Sequence, residues 1–301
     1  MDWDDLRVFL AVARGESLTA AGRVLRIDPA TVGRRVARME SAVQAQLFAK
    51  TQAGYVLTDD GARLVEHAEA AEAAMVGAAE ALRGNLGLTG QIRIGAPDGC
   101  ANYLLPLVLT AICDANPGLE VQIVALPRVF NLSKREADMA VAVSRPETGR
   151  VTAQKITDYR LHLAASCDYL ARSGMPHARA DLQGHRLIGY IPDMIFDKEL
   201  DYMAEAGLGA VPFASNSVSV QLNWLRAGAG IGVVHDFALP AAPELRRVLV
   251  HDVSLVRAFW LIRHEGDRRL ERLNRFATLL TAGLRAEVAR LEGLAGLDPI
   301  A

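Results

Sequence analysis

Four side chains near the N-terminus have the types and the spacing to contact a nucleic acid. They recur at helical spacing and would share the outer face of one helix: Thr31, Arg34, Arg35 and Arg38. Arginine neutralises phosphates and bonds the edge of guanine, and threonine donates to a base or touches the methyl group of thymine. The alternative is a solvated basic face on an ordinary helix. DNA binding is the stronger interpretation, because a cap, a proline and an apolar stripe accompany the basic stripe.

Three predicted helices position this face. Apolar residues at helical spacing mark the first two, with Leu6, Phe9, Leu10 and Ala13 in the first and Ala20, Ala21, Val24 and Leu25 in the second. Asp28 predicts the N-cap of a third helix, and Pro29 falls at its first position, where a missing N–H does no harm. The inward face of that helix should comprise Val32, Val36, Met39 and Val43. This is the arrangement of a helix-turn-helix, which presents a recognition helix to a DNA groove.

Two short extended pieces follow the third helix, in segments 46–50 and 54–61, and a turn between them would make a wing. Together with segments 9–13, 18–21 and 34–40, this pattern resembles the LysR-type transcriptional regulators. The resemblance covers the chain from end to end, and its N-terminal motif is specific.

The resemblance implies how the N-terminal segment works. A winged helix-turn-helix would bind double-stranded DNA as a dimer, with the third helix in the major groove and the wing against the backbone or the minor groove. By position, the DNA contacts would be Thr19, Thr31, Arg34, Arg35, Arg38, Lys50 and Thr51. Segment 28–33 departs from the Ser-Gln-Pro-Ala-Val-Ser with which this helix often opens in the family, so it offers fewer polar groups for reading bases.

Composition fits two or three globular units and gives no global attraction for DNA. The chain has 301 residues, of which 51% are hydrophobic and 23% charged, and its formal net charge is −2. Between Arg23 and Lys50, however, six Lys or Arg residues stand against two acidic ones, Asp28 and Glu40. The attraction must therefore be local, and we expect a moderate, salt-sensitive affinity that depends on dimerisation.

Three widely spaced cysteines, Cys100, Cys113 and Cys167, show neither zinc-binding spacing nor an even disulfide framework. We expect reduced thiols, no metal site and no cofactor. The sequence does not begin with a charged segment followed by an apolar run, and no stretch reaches transmembrane length. These features predict a cytoplasmic protein without a membrane partner.

A long helix is predicted after the wing, because segment 59–86 is rich in Ala, Glu and Leu and contains no proline. An apolar seam with alternating spacings of four and three, typical of a coiled coil, comprises Leu64, Ala68, Ala71, Met75, Ala78, Leu82 and Leu86. The alternative is one helix packed on its own domain. The family resemblance favours a dimerisation helix, followed by a hinge at Gly84, Gly87 and Gly90.

The rest of the chain alternates predicted strands and helices. Strands are expected at 91–95, 121–126, 139–143, 161–165, 186–190, 211–214, 231–235 and 258–262, and helices at 104–116, 198–206, 219–227 and 268–290. This alternation predicts βαβ units and a largely parallel sheet. The fold class is therefore α/β, with a helix-rich winged helix-turn-helix at the N-terminus and a long linker helix after it.

By resemblance, the C-terminal part is an effector-binding domain of two α/β subdomains, similar to periplasmic binding proteins. The ligand would lie in the cleft between the subdomains. The implied organisation is 1–60 for DNA binding, 61–89 for the linker helix and hinge, and 90–301 for the effector, with 90–162 and 262–292 as subdomain 1 and 163–261 as subdomain 2.

Loops at the carboxyl ends of strands would line this cleft, where open α/β sheets bind their ligands. By position, the effector contacts would be Asp98, Gly99, Cys100, Asn102, Arg128, Ser144, Arg145, Tyr190, Pro192, Asn216 and His235. Arg128, Arg145 and the free N–H groups of a helix start favour an anion. Asp98 would repel a carboxylate unless it caps that helix. We expect a small organic acid or a zwitterion.

Two other functional classes fit some of these residues. An enzyme would use Cys100 as nucleophile with His235 and Asp236 as base and orienting group, but only the inferred cleft brings them together. Segment 228–232 is glycine-rich but precedes a strand, which is the wrong order for a dinucleotide loop. An architectural DNA-binding protein would need no sensor. The sequence thus predicts a ligand-responsive regulator and not an enzyme. It would bind an interrupted inverted repeat as a homodimer, or as the homotetramer typical of the resemblance.

Overall fold

Three capped helices open the chain: α1 (Trp3–Gly15), α2 (Leu18–Leu25) and α3 (Pro29–Val43). The side chains of Asp2, Ser17 and Asp28 each accept a hydrogen bond from a backbone N–H in the first turn that follows. Each helix ends at a residue in the left-handed conformation, which turns the chain sharply. The predicted start of the third helix, with Asp28 as cap and proline at the first position, is confirmed.

The computed structural model of the chain describes residues 2–52, 54–82, 87–125, 132, 136–146, 149–209 and 211–296, with only the backbone of 79–82 and 269. The chain divides into two compact units. The first comprises Met1–Leu86, Asn131–Glu136 and His264–Asn274, and the second comprises Gly87–Phe130, Ala137–Arg263 and Arg275–Ala301.

The first unit has one hydrophobic core beneath its three helices. Its buried members are Leu6, Val8, Phe9, Leu10, Val12, Ala21, Val32, Val36, Met39, Leu47, Phe48 and Ala68. Full burial of a side chain such as Leu or Phe contributes about 1.5–3 kcal/mol. This core includes three of the four residues expected on the inward face of α3, so it fixes which face of α3 is left outside.

A two-stranded antiparallel wing follows, formed by β1 (Phe48–Thr51) and β2 (Gly54–Leu57). Gly54 adopts φ +126, and a Cβ built there would lie 2.4 Å from the carbonyl oxygen of Glu16. The N–H of Tyr55 donates to the same carbonyl at 2.9 Å. The wing is therefore anchored directly on the turn between α1 and α2, at a position that only glycine fills without strain.

The long helix α4 (Asp59–Leu82) divides the predicted apolar seam into two parts. Ala68 is fully buried in the core of the first unit, and Leu64 and Ala71 pack against that core. Met75 is 54% exposed, and Ala78 is exposed as well. The first half of the seam thus packs on its own domain, which corrects the expectation of a continuous dimer seam.

The end of that seam and part of the predicted hinge lie outside the described residues, namely Leu86, Gly84 and the side chain of Leu82. Two of the three hinge glycines are described. Gly87 and Gly90 adopt φ +81 and +77, the left-handed conformation that favours glycine. The backbone therefore takes the left-handed conformation twice at the start of the second unit, which begins at Gly87.

Nine described strands form the sheet that carries the second unit. They are β3 (Gly90–Ala96), β4 (Leu119–Ala125), β5 (Met139–Ala142), β6 (Val151–Ser166), β7 (Leu187–Gly189), β8 (Phe213–Ala214), β9 (Ile231–His235), β10 (Leu245–Val248) and β11 (Ser254–His264). Their order is β4-β3-β5-β11-β6-β9-β7-β8, and β10 pairs with β6.

The sheet is parallel towards both ends but mixed in its centre. β3 runs parallel to β4 and β5, and β7 runs parallel to β8 and β9. The long central strands break this pattern, since β11 is antiparallel to β5, and β6 is antiparallel to β9 and β10. The expectation of a largely parallel sheet was wrong there, because neither central strand follows a helical crossover. We call the β3–β5 side the first half and the β7–β9 side the second half.

The helices of the second unit are α5 (Asp98–Tyr103), α6 (Leu105–Asp114), α7 (Cys167–Ser173), α8 (Tyr202–Glu205), α9 (Val218–Arg226) and α10 (Glu271–Leu294), the last beginning within the first unit. The helix expected at 104–116 is α6 preceded by the separate short helix α5. The one expected at 198–206 is a 3-10 turn followed by the single turn of α8. In the first half, α5 follows β3 directly, and in the second half α9 precedes β9. None of the described helices is long and apolar enough to cross a membrane.

Candidate DNA-binding surface and effector cavity

The outer face of α3 carries Thr31 and Arg34 as a connected pair. Arg34 is exposed, and its Nη2 donates to the Thr31 hydroxyl oxygen at 2.9 Å. Val32 and Val36 are buried on the opposite face of the helix. Core packing therefore fixes the rotation of α3 and holds one cation and one hydroxyl group towards solvent.

The other two arginines of this helix are engaged by the acidic start of α1. Arg38 donates from Nε to Oδ2 of Asp5 at 2.7 Å and from Nη2 to the other carboxylate oxygen. Asp5 is buried, whereas Arg38 is largely exposed. Arg35 lies 3.5 Å from a carboxylate oxygen of Asp4. The basic stripe is thus divided: one part is open, and the other ties α3 to α1.

The wing presents its two predicted contacts to solvent. Lys50 and Thr51 are exposed, and the Thr51 hydroxyl donates to the carbonyl of Gly54 at 3.2 Å across the turn. Glu40, on α3, accepts from the backbone N–H groups of Leu47 at 2.7 Å and Phe48 at 3.2 Å. These bonds hold the start of the wing to the end of α3. Thr19, the remaining predicted contact, is exposed in the first turn of α2.

Six predicted effector residues line one small cavity between the two halves of the sheet: Asp98, Gly99, Cys100, Tyr190, Asn216 and His235. The cavity measures about 20 Å³, which is room for about one water molecule. Its other lining residues are Pro97, Val143, Tyr159, Phe196, Leu200, Tyr202, Val218 and Phe259. The sequence did not predict the aromatic residues of this second group, because a buried tyrosine or phenylalanine cannot be distinguished in sequence from an ordinary core residue.

Aromatic rings belong to six of the fourteen residues that line the cavity. Tyr159 stacks on Phe259 with ring centroids 4.2 Å apart and on His235 at 5.5 Å. Burial lowers the pKa of His235 to about 4, so its imidazole is neutral at pH 7. Burial likewise raises the pKa of Tyr159 and Tyr202, which keeps both phenols protonated. Asp98 is therefore the one charged side chain among the described residues that line this cavity.

The Asp98 carboxylate spans the two halves. Its Oδ2 accepts from the hydroxyl groups of Ser217 at 3.0 Å and Ser219 at 3.1 Å, and from the backbone N–H of Ser219 at 2.9 Å. The sequence left open whether Asp98 repels an anion or caps its own helix, and it does not cap that helix: Pro97 holds the N-cap position of α5, with no side-chain bond there. The carboxylate instead meets the start of α9, a partner 121 residues away that no local pattern indicates.

Four other predicted effector residues that the structure describes are absent from the lining of this cavity: Asn102, Ser144, Arg145 and Pro192. Asn102 donates to the carboxylate of Asp98 at 3.1 Å, and the Ser144 hydroxyl donates to the Asp197 carboxylate. Arg145 is exposed. Pro192 lines a neighbouring cavity of about 280 Å³, which shares Tyr190, Leu200 and Tyr202 with the first. Arg128 lies outside the described residues.

The residues of the alternative enzyme interpretation do not form a relay. The carboxylate of Asp236 bonds Nδ1 of His162 at 2.6 Å in a buried pair, and not His235. Burial raises the pKa of the Cys100 thiol, which keeps it protonated and a poor nucleophile. Across the described part of the chain, no three His, Cys, Asp or Glu side chains are grouped to hold a metal ion.

Comparison with known families agrees with this geometry. The description "Bacterial regulatory helix-turn-helix protein, lysR family" matches residues 3–62, and "LysR substrate binding domain" matches residues 85–285. The chain belongs to the LysR family. It is a DNA-binding transcriptional regulator with an effector-binding domain. The predicted family, fold class and function are thereby confirmed.

Known LysR-family regulators align with most of this chain. CrgA from Neisseria meningitidis is 25% identical over 243 residues, which cover 78% of this chain and 79% of CrgA. A CrgA structure covers 94% of this chain and 99% of its own, with a TM-score of 0.58 at 21% identity. Full-length LysG from Corynebacterium glutamicum, solved with bound effector Arg, covers 94% of this chain and 98% of its own, with a TM-score of 0.64 at 18% identity. These structures share the fold.

Proposed function

We propose that Thr31 and Arg34 are the principal DNA contacts of this LysR-family regulator. The exposed Thr31–Arg34 pair supports this, because the opposite face of α3 is buried in the core. Arg34 would neutralise a phosphate or bond a guanine edge, and Thr31 would contact a neighbouring base. Supporting contacts would come from Thr19, Arg35, Arg38, Lys50 and Thr51. The two arginines that face Asp4 and Asp5 would contribute least, since they already have carboxylate partners.

The DNA-binding unit, residues 1–60, would act as one arm of a homodimer. The linker and hinge, residues 61–89, would supply the dimer contact through the exposed part of α4. Met75 and Val76 are exposed there, beside Ala78 on the same helix. An apolar stripe of this kind suits a second copy of the same helix. Two linked recognition helices would then bind an interrupted inverted repeat, with a homotetramer as the larger assembly.

The effector would bind within residues 90–301, between subdomain 1 (90–162 and 262–292) and subdomain 2 (163–261). The cavity lined by Asp98, Tyr190, Asn216 and His235 supports this site. Its volume of about 20 Å³ requires the two halves to separate before a ligand enters. LysG, a relative in fold, was solved with bound effector Arg, a molecule that carries both charges. For this chain we propose a small zwitterion or amine in preference to a plain organic acid, because Asp98 is the charge that meets the ligand.

Ligand binding would act by differential affinity for two assembly states, and it would shift the population of the state that fits the operator. The protein would work in the cytoplasm and without catalysis.

A thermal-shift screen of the full chain tests the effector site. Matched amines, amino acids and carboxylic acids of similar size would be compared. We expect an amine or amino acid to raise the melting temperature in a dose-dependent way. Tyr190→Ala and Asn216→Ala should abolish that rise, while Arg272→Ala, a substitution of a residue outside both cavity linings, should keep it. A ligand whose effect survives both cavity substitutions would contradict the site.

A further inference from the structure

We propose that Asp98 determines the ligand specificity of the cavity by acting as a built-in anion. Its carboxylate fills the position at the start of α9 where the carboxylate of a ligand would otherwise bind. The cavity would therefore exclude ligands that depend on a carboxylate at that position. This inference rests on the proposed function, since it names the ligand class that the proposed effector site rejects.

The contacts of Asp98 are those of a bound anion. One carboxylate oxygen accepts three hydrogen bonds at 2.9–3.1 Å, from the backbone N–H of Ser219 and from the hydroxyl groups of Ser217 and Ser219. The other oxygen accepts from the side-chain amide of Asn102 at 3.1 Å. All four donors are neutral groups, so a carboxylate from any source would satisfy them equally well.

The start of α9 is suited to a negative charge. The helix has nine residues, and its first N–H groups and macrodipole favour an anion at that end. Ser217 is the N-cap, and its hydroxyl oxygen also accepts from the N–H of Val220 at 3.3 Å. That bond orients the hydroxyl hydrogen towards Asp98. A second carboxylate placed here would meet both the repulsion of Asp98 and the loss of these donors.

A second contact across the two halves supports the same conclusion. The hydroxyl of Ser144, which follows β5 in the first half, donates to the carboxylate of Asp197, which precedes α8 in the second half. Two serine–aspartate contacts thus join the halves around a cavity of about 20 Å³. The carboxylates of Asp98 and Asp197 therefore make these contacts between the halves.

Chemical rescue of an Asp98 variant tests this directly in the full chain. Asp98→Ala removes the carboxylate and leaves a space of about its size beside the same donors. We expect the melting temperature to fall by about 4–8 °C, as the loss of charge-assisted hydrogen bonds implies for a domain of this size. Sodium formate or acetate, at tens of millimolar, should restore most of that loss. Sodium chloride at equal ionic strength should not, and the natural protein should respond to neither carboxylate.

Two further variants keep the test decisive if Asp98→Ala folds poorly. Asp98→Asn fills the space with a neutral amide, so it should be destabilised but not rescued by formate. Ser219→Ala removes one donor, so it should weaken the rescue when combined with Asp98→Ala. The proposal is overturned if acetate stabilises the natural protein and Asp98→Ala equally, or if Asp98→Ala melts like the natural protein. Either result would leave the effector screen of the natural protein unaffected, so the two failures can be told apart.

Discussion

At the scale of single residues, α3 carries one arginine that is open to solvent and another that is paired with a buried carboxylate. Among the described contacts, Arg34 bonds only the hydroxyl group of Thr31 on its own helix, whereas Arg38 is paired with the buried carboxylate of Asp5. The two lie on the same basic stripe and look alike in sequence. Their surroundings predict different results for substitution by alanine: weaker DNA binding at Arg34 and lower stability at Arg38.

Arg34→Ala should weaken binding to DNA of any sequence and reduce its salt dependence. One lost phosphate contact lowers the slope of log K against log salt by about 0.9. Fluorescence anisotropy with a labelled duplex at several salt concentrations measures this slope.

Arg38→Ala is the matched control for that experiment. It leaves the buried Asp5 without its main partner, so it should lower the melting temperature by a few degrees and change the salt slope less than Arg34→Ala. An unchanged salt slope in Arg34→Ala, or a larger change of slope in Arg38→Ala than in Arg34→Ala, would contradict the assignment of the phosphate contact to Arg34.

His235 predicts a loss of stability in mild acid. Burial lowers its pKa to about 4, whereas the unfolded chain titrates near 6.5. The unfolded state therefore binds the proton first, and stability falls as the pH drops from about 6.5 to about 4, by about 3 kcal/mol at most. Denaturant unfolding of the natural protein and of His235→Gln across this range isolates the effect. The variant should show a shallower fall, and parallel curves would contradict a neutral buried imidazole.

At the scale of elements, α4 is half core and half open surface. Met75→Glu places a charge on the exposed apolar stripe and should shift the protein towards monomers in sedimentation velocity, because a carboxylate cannot be buried there without a partner. Ala70→Glu adds the same charge at an exposed position away from the stripe and should leave the assembly unchanged. A dimer that survives Met75→Glu would remove this helix from the interface.

Elements set by local chemistry could be predicted, and those set by distant partners could not. The start of α3 follows from Asp28 and Pro29, neighbours in sequence whose capping preferences are intrinsic. The antiparallel centre of the sheet depends on pairs such as Met139 with Arg263, which are 124 positions apart. Ala68 was ambiguous for another reason, since a small apolar residue fits a dimer seam and a domain core equally well.

At the scale of the whole molecule, the sequence predicted six residues that line one cavity, but it did not predict the chemistry of that cavity. Six predicted residues share one wall, because loops after neighbouring strands meet at the same edge of a sheet. The chemistry was harder to foresee. Three of the four donors to the Asp98 carboxylate come from Ser217 and Ser219, which are 119 and 121 positions away, and the aromatic residues Tyr159, Tyr202 and Phe259 carry no pattern that distinguishes them from core.

The full chain can be used to select DNA sequences from a library of random duplexes. This one measurement tests the recognition helix, the linker and the assembly together. A dimer with two α3 helices exposed in the same way should enrich an inverted repeat, with half-sites separated by one or more turns of about 10–10.5 base pairs. Arg34→Ala should enrich the repeat poorly, and Met75→Glu should enrich single half-sites. Enrichment of a lone, unrepeated site by the natural protein, or of no sequence at all, would contradict paired recognition through α3.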